Sequence, residues 1–86
     1  MPKKPKRPEA EIHAMIVSDA KIRIGCKDFA PEFTLHPTEI DPTRYPNANW
    51  DVHKMHNADS WLPNCAEAFR EAVARARRKY DIEWRP

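Results

Sequence analysis

Nine prolines and a single glycine divide this chain before any other feature is read. Proline fixes φ, removes a backbone donor and pushes the residue before it toward extended geometry. Regular structure is therefore confined to what lies between the prolines. Pro2, Pro5 and Pro8 stiffen the start, Pro31, Pro37, Pro42 and Pro46 divide the middle, Pro63 stands where a helix can begin, and Pro86 ends the chain.

At 86 residues the chain predicts one domain with a small core. With 41% apolar residues it is too hydrophobic for a wholly disordered polymer. It contains no run of about 18 apolar residues, so no membrane span or membrane partner is expected. Residues 1–8 are basic but lead into no apolar stretch, unlike a secretory signal. The net charge of +2 is uneven: Lys3, Lys4, Lys6 and Arg7 precede every acid, leaving eleven cations against thirteen acids in residues 9–86. The sequence predicts a disordered basic arm, residues 1–8, on a mildly acidic body.

Residues 11–17, Glu-Ile-His-Ala-Met-Ile-Val, are rich in strand formers and predict a strand. Ile12, Ala14 and Ile16 would share one face, and His13, Met15 and Val17 the other. Ser18-Asp19-Ala20 offers a turn. Residues 21–26 then alternate cleanly, Ile22, Ile24 and Cys26 inward against Lys21 and Arg23 outward. Gly25 suits a bulge or a close backbone approach. The irregular connection 27–60 holds two short extended pieces, 32–36 and 50–55, at least one of which is expected to join the sheet. A helix is predicted over about 61–80, with Ser60 as N-cap, Pro63 in the first turn and Asp59 at the positive end. Leu62, Cys65, Phe69, Ala72, Val73, Ala76 and Tyr80 form its apolar stripe. Ile82 and Trp84 then pack beneath it or add a last short strand.

The fold predicted is thus α+β: a small antiparallel sheet, made of an N-terminal β-hairpin plus one or two short strands, with one long C-terminal amphipathic helix on one face.

The candidate sites each compete with a plainer reading. Lys3, Lys4, Lys6 and Arg7 suit contact with a polyanion, where four phosphate contacts imply a salt slope of about −3.6; a solubilising terminus with no partner is the plainer and preferred explanation. His53 and His56, with Cys26, Cys65, His13 and His36 elsewhere, include natural zinc ligands, yet no spacing matches a known zinc site. No metal and no cofactor is expected. Cys65 at a helix start beside histidines would suit a nucleophile, but burial in the apolar stripe accounts for it without chemistry. In the absence of a secretion signal the setting is expected to be reducing and cytoplasmic, where both cysteines ordinarily remain thiols; a single Cys26–Cys65 disulfide stays open, subject to their distance in the fold. The aromatics Phe33, Tyr45, Trp50, Trp61 and Trp84 suit base stacking, though a core this small needs them for area. No glycine-rich phosphate loop is present, which excludes nucleotide hydrolysis and dinucleotide binding.

His13, Met15 and Val17 are the candidate partner face. If nothing in the chain covers them they form an apolar patch suited to a second copy of the chain, or to another protein. The expected function is a soluble, non-catalytic interaction or accessory module, homodimeric through the sheet. The alternatives are nucleic-acid binding through the arm and, behind it, a metal-binding or thiol-dependent enzyme.

Overall fold

In the computed structural model, residues 4–40, 43 and 47–84 are described. The element order is β1 (Lys6–Arg7), α1 (Glu9–Lys21), β2 (Phe33–Pro37), β3 (Trp50–Met55), a 3-10 turn (Ala58–Ser60), α2 (Pro63–Lys79) and β4 (Asp81–Ile82). Two helices and two separate two-stranded ladders replace the expected single sheet with one helix. β1 and β4 pair in parallel, and β2 and β3 pair antiparallel.

The first correction lies at the N-terminal hairpin. Residues 11–17 are helical, within α1, and residues 21–26 form no strand. Ile12, Ile16 and Ala20 repeat at i, i+4 and i+8, and all are fully buried. One turn of helix thus delivers each of them to the same stripe. Pro8 starts the helix: its ring holds φ at −60° and its carbonyl accepts from Glu11 and Ile12 N–H at 3.0 and 3.1 Å. Glu9 and Glu11 in the first turn and Lys21 in the last complement the helix dipole. After Ile22 the backbone turns away, and Gly25 adopts φ +86°, where a side chain would be strained even though space exists.

α2 begins at Pro63 without a side-chain cap. Ser60 sits in the preceding 3-10 turn, its hydroxyl donating to the Asn57 carbonyl at 2.7 Å, and is not the N-cap. Cys65, Ala68, Phe69, Ala72, Val73 and Ala76 form the buried stripe that packs against α1. Leu62 stands outside it, 59% exposed. Arg77 extends the buried side: it donates to the Trp50 carbonyl, pairs with Asp51 at 3.2 Å and lies over the Trp50 ring.

Phe33 and Leu35 from β2 and Trp50 from β3 complete the core. Leu35 faces Val52, His36 faces Asp51 and Pro37 faces Trp50, with a bulge between Phe33 and Leu35. Asn49 then joins the two ladders. Its amide carbonyl accepts from Ile82 N–H at 2.8 Å and its amide nitrogen donates to the Ile82 carbonyl at 2.9 Å, as a strand backbone would. Its own N–H donates to Asp81, its carbonyl accepts from the Trp84 indole, and the neighbouring Trp50 indole donates to the Tyr80 carbonyl.

Candidate interaction surfaces

The basic start of the chain is attached to the body from Lys4 onward. Lys4 Nζ donates to the carbonyls of Asn47 and Arg77 and approaches Asp81 at 3.7 Å. Lys6 and Arg7 form β1, whose partner β4 follows directly after α2. The ladder is completed by Asp81 N–H donating to the Pro5 carbonyl and Glu83 N–H to the Arg7 carbonyl. Arg7 lies over the Tyr80 ring at 5.6 Å and pairs with Glu11 at 3.8 Å. The arm residues Lys6 and Arg7 thus stand beside the last turn of α2, where Arg78 and Lys79 are also exposed. Lys4 is occupied within the fold, and Lys3 lies outside the described residues.

His13, Met15 and Val17 do not make one face, because the two-residue spacing that would align them belongs to a strand. On a helix His13 and Val17 sit one turn apart, while Met15 lies about 200° from the first and opposite in direction. The His13 ring stacks on Phe33 at 4.0 Å, and its Nε2–H donates to the Phe33 carbonyl. Met15 and Val17 pack partly against the core. The exposed side of α1 carries Ala10, Ala14 and Ser18, continued by Ile22, which is 79% exposed. Glu11, Ala14, Met15, Ser18, Asp19 and Ile22 border a shallow, mostly apolar depression there. Sequence reading missed it because the apolar residues of this segment also fit an alternating strand.

Cys26 and Cys65 are joined in a disulfide with their Cα atoms 5.7 Å apart. The distance that the sequence left open therefore permits the bond, against the ordinary case of two separate thiols. The bond also removes Cys65 as a free nucleophile. Cys65 belongs to the first turn of α2 and Cys26 to the loop after α1. Arg23 bonds Glu71 at 2.5 Å and Glu67 at 3.2 Å, and Asn64 donates to the Ile24 carbonyl, so the same loop is pinned along α2. Farther along, Arg75 donates to Asp19 at 2.7 Å, and that hydrogen bond raises the Arg75 pKa above its ordinary value. A cleft of about 470 Å³ opens beside the disulfide between Phe29 and Trp61, whose rings meet edge to face. Its polar wall is built by Asn57, which accepts from Glu32 N–H and the Trp61 indole and donates to the Ala30 carbonyl.

Of the metal candidates, His53 is brought to His36 across the β2–β3 ladder, not to His56. Among the described residues no group of three or more His, Cys, Asp or Glu side chains converges on a metal position. The aromatics proposed for stacking serve the interior: Trp50 and Phe33 are buried, and Trp61 and Trp84 pack against the core. Tyr45 lies outside the described residues. No described helix is long and apolar enough to cross a membrane.

No protein-family model, curated protein or solved structure matches the chain.

Proposed function

We propose that this protein is a non-catalytic interaction module that pairs with a second copy of itself through the outer side of α1. The observation that carries the reading is that α1 is apolar on both sides. Ile12, Ile16 and Ala20 fill the core, yet Ala10, Ala14 and Ile22 continue the apolar surface outward. Ala10 and Ala14 in the helix and Ile22 at its C-cap thus leave a narrow exposed apolar strip between Glu11 and Lys21, and such a strip suits a partner. A second copy fits by charge. An antiparallel α1 centred at the level of residue 16 sets Glu11 against Lys21 and Ala14 against Ser18. The acidic first turn then meets the basic last turn twice, as a two-fold interface requires. Sedimentation equilibrium tests this: a dimer that Ser18→Arg returns to monomer supports the reading. A monomer at high micromolar concentration defeats it.

One observation favours a second reading, contact with a polyanion. Lys6 and Arg7 lie on the strand paired with β4, which follows the last turn of α2 and its exposed Arg78 and Lys79. Four such contacts imply a salt slope near about −3.6 on duplex DNA. Anisotropy of a labelled oligonucleotide across a salt series reads it, and the absence of binding at low salt ends it.

A further inference from the structure

We propose that His36 and His53 form a two-histidine site for a divalent transition-metal ion on the outer face of the β2–β3 ladder. Their rings stand 4.6 Å apart, centre to centre, with planes inclined at 40°. Imidazoles bound to one ion at about 2.0–2.1 Å, with ligand angles of about 90–110°, have ring centres about 4.5–5.3 Å apart. The centroid spacing of the pair falls within that range. Among the described residues, neither imidazole has a hydrogen bond to the chain; their ring contact is the one interaction each makes. Most surface histidines are free to turn, but these two are carried on paired strands whose register is held through Leu35–Val52, His36–Asp51 and Pro37–Trp50. His53 is exposed and His36 half-buried, so an ion reaches them from solvent and keeps water on its remaining positions.

Asp51 faces the same side as both histidines, directly across from His36 and two residues before His53. Its carboxylate accepts from Val52 N–H and pairs with Arg77, so it contributes local negative charge while remaining tied to the fold. A two-imidazole donor set selects among cations by ligand chemistry. Ni²⁺, Cu²⁺ and Zn²⁺ suit imidazole, whereas Mg²⁺ and Ca²⁺ require oxygen donors. The sequence concealed the pairing because the two residues lie far apart along the chain and meet only through the ladder.

The test is titration of the untagged full chain with Ni²⁺, Cu²⁺ or Zn²⁺ by calorimetry, with Mg²⁺ as control. The ¹H–¹⁵N spectrum recorded with Cu²⁺ locates the ion by line broadening. One ion per chain is expected, with broadening centred on His36 and His53. His36→Gln or His53→Gln should each weaken binding at least about 10-fold, since losing even a group behind a metal ligand costs about 10–100-fold. Binding should fall with pH as protons compete for the imidazoles, and His56→Gln should leave it unchanged. The site is disproved by the absence of saturable binding, by retained affinity in His36→Gln/His53→Gln, or by an equal loss in His56→Gln. Far-UV circular dichroism confirms that each variant is folded.

Discussion

Reduction of the Cys26–Cys65 disulfide should remove a large share of the stability of this small domain. The bond closes a sequence separation of 39 residues. In the chain-entropy treatment, a loop of that size restricts the unfolded ensemble by about 13 cal/mol/K, or about 4 kcal/mol at 25 °C. The folded side points the same way. Among the described residues the other polar ties from the 22–31 segment to α2 are the Arg23 ion pairs and the Asn64 amide, which reaches the Ile24 carbonyl and Cys26 Sγ, with Phe29 packed against the core. Exposed ion pairs are worth about 0–1 kcal/mol each, too little to replace the bond. A domain of this size has about 4–13 kcal/mol in total, so the reduced form should be marginal. Urea denaturation followed by tryptophan fluorescence, with and without a phosphine reductant, reads the difference. At about 4–8 °C per kcal/mol, the thermal midpoint should fall by about 16–32 °C. A loss below about 1 kcal/mol would refute the reasoning, because the loop would then be held by contacts other than the bond.

Asn49→Ala should cost about 2–3 kcal/mol in urea, because it strands both the N–H and the carbonyl of Ile82 where β4 meets the rest of the fold. An unchanged midpoint would show that water substitutes for the amide. Gly25→Ala should cost about 1 kcal/mol through its φ of +86° alone, since its added Cβ would come no nearer than 3.6 Å to Asn64. Stabilisation by that substitution would contradict the backbone conformation. Ile16→Ala should cost about 2–5 kcal/mol, and Ala14→Ser less than about 0.5 kcal/mol, because one side chain is fully buried and the other exposed.

The parts of the fold legible in the sequence were those with a single period. α2 lies within the 61–80 window because its apolar residues recur only at three and four; the piece expected at 50–55 is β3, and the one expected at 32–36 overlaps β2, Phe33–Pro37. α1 was misread because Ile12, Ile16 and Val17 are β-branched and five of the seven residues 11–17 are apolar, so a period of two fitted as well as one of 3.6. The stronger cue was local: Pro8 followed by Glu9 and Glu11 is a helix start. A last short strand at Ile82 was one of two readings open in the sequence, but its pairing with β1, the disulfide and the His36–His53 pair had no local signal. Each depends on distances that only the packed chain defines. The candidate face of His13, Met15 and Val17 was misread for the same reason as α1, since these residues align on a strand and separate on a helix.

Pairing of two chains through α1 is tested most directly by zero-length carbodiimide cross-linking of a mixture of ¹⁴N- and ¹⁵N-labelled protein. The antiparallel arrangement predicts mixed-isotope cross-links between Glu11 of one chain and Lys21 of the other, and their disappearance in Ser18→Arg. Cross-links confined to single chains at the same protein concentration would contradict it.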